Sequence, residues 1–284
     1  MLVLKKNNGH TRVKLKLIAH IDRSRALEAF RAYTENYDAD NTNIAIKIAH
    51  TYRVASISER IAGTISEANV NFAWLLGLLH DIGRFEQVTR YGTFFDALSI
   101  DHAELGADIL FHDNLFGSFV PQESQEMKAI AETAIRLHNK LSIPENMEEK
   151  TAMYTKILRD ADKVDIFRLL TEYPYNERYS NLKDLVARDE VMKYVKEHRC
   201  VPREASAGRA NELEMLIAQC CMAFELEYPE SRAIVIEQGY LKKLLEKDSE
   251  QLAIVKAEIL KALGKTISPH EQGRSYDVTP PGRP

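Results

Sequence analysis

The sequence is poor in features that define several classes of protein. Its 284 residues include only three cysteines, Cys200, Cys220 and Cys221, and none of their spacings is that of a metal-binding CxxC pair. A disulfide framework and a cysteine-ligated structural zinc site are therefore not expected. The odd number of cysteines favours a reducing compartment.

Long hydrophobic runs are also missing. The longest, FAWLLGLL at residues 72–79, is far shorter than the roughly 20 residues of a spanning helix. The basic residues near the N-terminus are not followed by the apolar segment of a secretory signal. We therefore expect no membrane association and a cytoplasmic location.

A strong excess of charge of one sign is absent as well. The formal net charge is -4 and the pI is about 6.2, without the clustered basic excess that nucleic-acid binding requires. A composition of 45% hydrophobic and 28% charged residues is that of an ordinary folded protein with a sizeable core. The expected partner is a small molecule, and the oligomeric state stays open.

The periodicity of apolar residues predicts an all-α fold. Residues 13–22 alternate and could form a short edge strand, but everything after them has helical spacing. Residues 85–100 are expected to be a connection. We predict a helical core over residues 22–175, a C-terminal helical extension over 176–267 and a disordered tail over 268–284. The predicted helices are 24–34, 41–65, 70–80, 101–111, 123–138, 148–170, 181–196, 210–225 and 231–263.

Histidines occur on the apolar faces of several predicted helices. His50 shares its face with Ile46 and Val54, and His102 and His138 also follow apolar positions at helical spacing. A single inward histidine is usually a hydrogen-bonded core residue. Three of them on different helices favour a shared site.

A histidine–aspartate pair ends the most apolar helix. His80 and Asp81 come just before Gly83, which is expected to be the C-cap, and at a helix end both side chains can turn toward one point. Asp162 lies on an apolar stripe of a later helix. An unpaired carboxylate buried there would cost several kcal/mol, so a cation is expected beside it.

Imidazole and carboxylate ligands suit Mn, Fe, Ni, Co or Zn, and Mg where waters complete the coordination. The alternative, unrelated core histidines and ion pairs, would require many coincidences. We therefore predict a site for divalent metal ions. Its predicted ligands are His50, His80, Asp81, His102, His138 and Asp162.

The order of these residues resembles that of the HD-domain metal-dependent phosphohydrolases. The motifs that carry the resemblance span about residues 41–170 and are HTYRVA, LLGLLHDIGRF, SIDHAELGADIL, AIRLHNK and ILRDADKVD. The resemblance implies a helical HD-domain bundle in which His50, His80, Asp81 and Asp162 hold a first metal. By the same resemblance, Asp81 bridges to a second metal that His102 and His138 complete.

One departure from the family pattern narrows the range of expected substrates. Members that hydrolyse cyclic dinucleotides usually carry a double histidine and a GYP motif, where this chain has His138, Asn139 and Lys140. That specificity is therefore not supported. The resemblance otherwise implies a hydrolase of phosphate esters in small molecules, such as nucleotides, that uses a metal-activated water.

Residues beside the predicted ligands are candidates for further roles. His80 and Asp81 are expected to be catalytic together with Lys163, which follows Asp162 and could contact a substrate phosphate, although a structural ion pair is the alternative. Arg53 and Arg84 are weaker candidates for the same contact. Asp160 and Asp165 are expected to orient ligand histidines.

The expected connection over residues 85–100 is rich in aromatic side chains. They could wall a substrate pocket or pack the core, and they are Phe85, Tyr91, Phe94 and Phe95.

Two other functions remain open from the sequence. Some proteins of the same fold use a similar ligand set to hold two irons and oxidise small substrates with dioxygen. A noncatalytic nucleotide-binding regulatory module would also retain these residues. The ligand set alone does not separate the three functions, whereas metal identity, oxygen consumption and product release do.

Overall fold

The computed structural model describes residues 20–172, 175–202, 205 and 210–264. The predicted tail, 268–284, and most of the predicted edge strand, 13–22, lie outside these residues. No β-strand occurs in the described part of the chain, and the predicted all-α fold is confirmed. None of the described helices is both long and apolar enough to cross a lipid bilayer.

The α-helices are α1 (Arg23–Thr34), α2 (Thr42–Ala62), α3 (Val70–Leu79), α4 (Ile82–Tyr91), α5 (His102–Ala107), α6 (Phe116–Phe119), α7 (Gln125–Leu137), α8 (Glu149–Leu169), α9 (Asp189–Lys196), α10 (Glu212–Cys220), α11 (Pro229–Gln238), α12 (Tyr240–Leu245) and α13 (Glu250–Gly264). Short 3₁₀ turns span Asp96–Leu98, Tyr175–Tyr179 and Cys221–Glu225, and a π-helical turn, Asp108–His112, continues α5.

Helix α3 is the centre of the core. It is apolar on all sides and every residue from Phe72 to Leu79 is buried, as expected for a helix surrounded by others. Helices α2 and α8 pack against it. A Cβ atom on Gly77 would lie 2.6 Å from the Ala55 Cα, so a glycine is needed where α2 approaches most closely.

The chain turns sharply between α3 and α4. His80 is the C-cap of α3, and Asp81 has φ -106° and ψ 18° before α4 begins at Ile82. The predicted C-cap role of Gly83 is therefore wrong, because this glycine lies inside α4. The predicted connection over 85–100 is also partly wrong, because α4 continues to Tyr91 and ends at Gly92 with φ 66°.

Gly83 is instead required by a close backbone contact with α5. A Cβ atom there would lie 2.3 Å from the His102 carbonyl oxygen and 2.6 Å from the Gly106 nitrogen. We expect Gly83→Ala to lower the free energy of unfolding by about 1–3 kcal/mol or more, because two backbones must separate. Denaturant unfolding measures this, with Gly117→Ala as control, since its Cβ would contact only Glu123 Oε2 at 3.9 Å.

If the two glycine variants lost equal stability, the close contact between α4 and α5 would not be the reason for glycine at position 83. The separation of the two backbones should also affect metal binding, because the nearest atom is the carbonyl oxygen of His102, a predicted ligand. A partly folded Gly83→Ala protein should therefore bind metal less well than Gly117→Ala.

The C-terminal extension packs on the core through a buried carboxylate on α8. Asp160 accepts hydrogen bonds from the backbone N–H groups of Glu227 at 3.2 Å and Tyr228 at 3.0 Å, and from the Ser231 hydroxyl at 2.7 Å. The prediction that Asp160 orients a ligand histidine is therefore wrong. Its side chain lies on the side of α8 that faces the start of α11, and these hydrogen bonds hold α11 against the core.

The predicted helix over 231–263 is three helices in the structure. Gly239 has φ 68° and separates α11 from α12, because a residue in the left-handed region ends a helix and glycine adopts it without strain. A second break separates α12 from α13.

Candidate metal centre

Four helices of the core and the α3–α4 turn bring the six predicted ligands together. His50 comes from the middle of α2, His80 and Asp81 from the turn, and Asp162 from the middle of α8. His102 opens α5 and His138 is the C-cap of α7. All but Asp162 are buried, and the Asp162 side chain is 15% exposed.

One half of the centre contains His50, His80 and Asp162. The Nε2 atoms of His50 and His80 lie 3.1 and 3.6 Å from Asp162 Oδ1. The same two atoms lie 3.6 and 3.5 Å from Asp81 Oδ2. Two imidazole nitrogens and two carboxylate oxygens therefore surround one point.

The other half contains His102 and His138. Their Nε2 atoms are 3.1 Å apart and lie 3.5 and 3.7 Å from Asp81 Oδ1. Asp81 thus directs one oxygen to each pair of histidines. This is the arrangement that a carboxylate bridging two metal ions requires.

The other ring nitrogen of each histidine has an acceptor. His50 Nδ1 lies 2.6 Å from Asp165 Oδ2, and His102 Nδ1 lies 2.9 Å from both Asp96 oxygens. His80 and His138 bond backbone carbonyls, at 2.8 Å to Gly77 and 2.7 Å to Ile135. With the proton on Nδ1, each Nε2 presents a lone pair to the centre, as metal-ligating histidines do.

The residues present fit divalent metal ions. Within the described residues, the buried Nε2 atoms of His50 and His80 have no hydrogen-bond partner, a costly arrangement unless something else occupies their lone pairs. Two overlapping groups, His50 with His80 and Asp162, and His80 with Asp81 and His138, have ligand atoms close enough for one ion. Metal coordination would satisfy these atoms.

The pKa shifts of three ligands, Asp81, Asp162 and His102, also suit metal ligation, whereas Asp81 and Asp162 raise the pKa of the buried His80 against the effect of burial. Burial opposes ionisation of Asp81, but Lys47 and His80 outweigh it and hold the pKa of this carboxyl well below its ordinary value. Burial opposes ionisation of Asp162 too, and His50 and His80 again lower its pKa well below the ordinary value. Burial, helped by Arg84, lowers the pKa of His102 to about 3, so its ring is neutral near pH 7.

Two carboxylates that orient histidines allow the halves of the centre to be tested separately. We expect Asp165→Asn to weaken metal binding at the half with His50 and Asp96→Asn at the half with His102, each by about 10–100-fold in affinity, the typical loss when such a partner is removed. Metal titration by calorimetry measures both affinities. Each variant is the control for the other, and an equal loss at both metals in either variant would contradict the assignment of two halves.

Three residues of this centre were not predicted from the sequence. Lys47 Nζ lies 2.7 Å from Asp81 Oδ2, and Lys47 precedes His50 by three positions, a spacing that indicates a shared helix face. Asp96 orients His102 from a segment that was expected to be a simple connection. Gln87 donates to Asp96 at 3.0 Å and so helps to hold that segment in place.

The structure does not bring Lys163 into the centre. Its ammonium pairs with Glu225 at 3.0 Å and lines a cavity between α8 and the Cys221–Glu225 turn. Adjacent helical residues diverge by about 100°, so Lys163 points away from Asp162. The predicted contact with substrate phosphate is therefore not supported, and the alternative of a structural ion pair describes what is seen.

Arg53 and Asp165 form another structural pair. Arg53 donates from Nε at 2.6 Å and from Nη2 at 2.9 Å to the two oxygens of Asp165. Since Asp165 also bonds His50, the expected orienting role of Asp165 is present in the structure. Arg53 supports that role through Nε and Nη2.

The aromatic residues of 85–100 divide into two kinds. Phe85 is buried and packs edge-on against Phe30 and Tyr33, so it belongs to the core. Tyr91 and Phe95 are exposed. Phe94 lies beside the metal centre, with Lys47 Nζ 5.4 Å from its ring centroid.

The fold and the centre together define a helical domain that gathers histidines and aspartates from separate helices around a bridging aspartate. Residues 48–167 match the family model of the HD domain, and this segment includes all six predicted ligands. The chain therefore contains a segment that matches the HD domain, which is consistent with the HD-domain metal-dependent phosphohydrolase superfamily. Comparisons with curated proteins and with solved structures give no significant match.

Proposed function

We propose that this protein is a metal-dependent hydrolase that cleaves phosphate esters of small molecules such as nucleotides. One observation carries the proposal: Asp81 directs its two oxygens to two separate histidine pairs. A carboxylate in this position suits a two-metal site, and two-metal sites are typical of enzymes that displace groups at phosphorus. The ions we propose are divalent Mn, Fe, Ni, Co, Mg or Zn.

Bound divalent ions would activate a water molecule and neutralise charge on phosphoryl oxygens. The chain's own residues do the rest. The histidines, fixed through their Nδ1 atoms, hold the ligand lone pairs in place before any ion binds, so little reorganisation is needed. The burial of five ligands excludes bulk water from all but the Asp162 side of the centre.

The proposal is tested by a screen for released phosphate. Nucleoside monophosphates, nucleoside triphosphates, cyclic nucleotides and other phosphate esters are incubated with the protein and each divalent ion in turn. We expect release with at least one metabolite, and none from an Asp81→Asn variant treated in the same way. Rates should exceed background by many orders of magnitude, as enzymatic hydrolysis does.

Two results would replace the proposal with another function. Iron bound tightly together with oxygen consumption, and no phosphate released, would indicate the di-iron oxygenase. Tight binding of a nucleotide without any product would indicate the regulatory module. The two cations beside Asp81, Lys47 and Arg84, favour an anionic substrate and therefore the hydrolase.

A further inference from the structure

Two cationic side chains lie against the bridging carboxylate on the side of the centre that Phe94 covers. Lys47 Nζ is 2.7 Å from Asp81 Oδ2, and Arg84 Nε is 3.7 Å from Asp81 Oδ1. The Lys47 ammonium and the Arg84 guanidinium carbon lie 5.4 and 5.6 Å from the centroid of the same Phe94 ring. The two cations therefore lie near the same aromatic ring, one beside each oxygen of Asp81.

Lys47 has donors to spare. An ammonium group has three N–H donors, and among the described residues Asp81 is the one hydrogen-bond acceptor that Lys47 contacts. The residue is 8% exposed, so water has little access to the remaining donors. A buried ammonium with unused donors is expensive unless an anion completes its hydrogen bonds.

Arg84 also has a donor atom without a hydrogen-bond acceptor among the described residues. Its Nη1 donates to Gln87 Oε1 at 2.7 Å, to the Phe94 carbonyl at 2.7 Å and to Asp96 Oδ1 at 3.0 Å, which fixes the plane of the guanidinium. Its Nε is buried and has no hydrogen-bond partner in the described part of the chain. The distance of 3.7 Å to Asp81 is too long for a hydrogen bond.

The Arg53–Asp165 pair shows how this chain builds a purely structural ion pair. There the guanidinium uses Nε and Nη2 on the two oxygens of one carboxylate, at 2.6 and 2.9 Å. Lys47 and Arg84 instead meet Asp81 without such a paired geometry: Lys47 contacts one of its oxygens, and the buried Nε of Arg84 bonds neither. This difference points to a ligand that is not part of the chain.

We infer that Lys47 Nζ and Arg84 Nε bind the terminal phosphoryl group of the substrate and make this centre selective for phosphate monoesters over diesters. The inference rests on the proposed phosphohydrolase function and specifies its substrate class. A monoester offers three unesterified oxygens, which match the spare donors of the two cations. A diester offers one oxygen fewer.

The charges favour a monoester as well. The chain places three carboxylates, Asp81, Asp96 and Asp162, and two cations, Lys47 and Arg84, around the centre. Two divalent ions would leave a surplus of about three positive charges. A hydroxide nucleophile and a monoester that carries about two negative charges near pH 7 would balance it, whereas a diester with one would not.

The test replaces Lys47 with methionine, which keeps the length of the side chain and removes its charge. Lys163→Met is the matched control, because both lysines are nearly buried and each pairs with a carboxylate, but Lys163 lies outside the centre. Protein saturated with manganese is assayed with p-nitrophenyl phosphate and bis(p-nitrophenyl) phosphate. Metal content is measured for each variant, and binding of inorganic phosphate is measured by calorimetry.

We expect wild type to prefer the monoester. Lys47→Met should lose at least about tenfold in kcat/KM for the monoester and at least about tenfold in affinity for inorganic phosphate, the size of a lost hydrogen bond between charged groups. Its kcat/KM for the diester should change by less than about threefold, and Lys163→Met should match wild type in all three measurements.

The outcomes separate this inference from the proposed function. If both esters were hydrolysed and Lys47→Met lowered both rates equally, the phosphohydrolase would stand and the phosphate-binding role of Lys47 would be wrong. If neither ester were cleaved but inorganic phosphate bound in a Lys47-dependent way, the binding role would stand and hydrolysis would fail. A preference of wild type for the diester would overturn the inference directly.

Discussion

Replacing Asp81 with asparagine is expected to lower kcat more than about 1000-fold, because even the residues behind metal ligands are typically worth 10- to 100-fold. Asparagine keeps the size of the side chain but lacks the charge that attracts cations to both histidine pairs. It also leaves Lys47 without its carboxylate partner. The measurement is kcat together with metal content on the substrate found by the phosphate-release screen.

Asp160→Asn is the matched control for this variant. Both positions hold a buried carboxylate, but Asp160 contacts the C-terminal extension rather than the histidines. The Asp160 variant should keep its metal ions, whereas the Asp81 variant should lose them. Full metal content and activity in Asp81→Asn would show that Asp81 does not bridge metal ions.

The second large effect is on stability and comes from the same Asp160→Asn change. Burial raises the pKa of Asp160, and three hydrogen bonds from the start of α11 act against that rise. An amide places an NH2 group against backbone N–H donors, so at least one bond is lost and one donor is left unpaired. We expect the free energy of unfolding to fall by about 2–4 kcal/mol, the cost of breaking bonds to a buried charged group.

Thermal unfolding gives a direct measurement of this loss. For a protein of this size the melting temperature should fall by about 5–10 °C. Asp113→Asn is a suitable comparison, because that side chain is 70% exposed and its replacement should leave the melting temperature unchanged. If Asp160→Asn and Asp113→Asn had the same melting temperature, apolar contacts alone would hold the C-terminal extension on the core.

The histidines of the centre were predictable because each follows the apolar period of its own helix. His50 on α2 and His138 at the end of α7 point inward for the same reason as their apolar neighbours. The His80–Asp81 pair was predictable as a point of convergence at the end of α3. The role of Gly83 was not, because its need for glycine comes from the backbone of α5, which is distant in sequence.

The two lysines illustrate what the sequence allowed and what was overlooked. Lys163 directly follows Asp162, which suggests proximity, but neighbours along a helix point in different directions. Lys47 precedes His50 by three residues and shares its face, so helical geometry favoured it. The bond between Asp96 and His102 had no such signal, since it depends on how the segment after α4 folds back on the centre.

The proposed function depends most on whether the centre holds two metal ions. We would measure metal per chain by elemental analysis on protein purified without added metal, and again after divalent ions are supplied, for wild type and for His102→Ala combined with His138→Ala. We expect two ions per wild-type chain and one in the double variant. One ion or none in wild type, even after divalent ions are supplied, would contradict it.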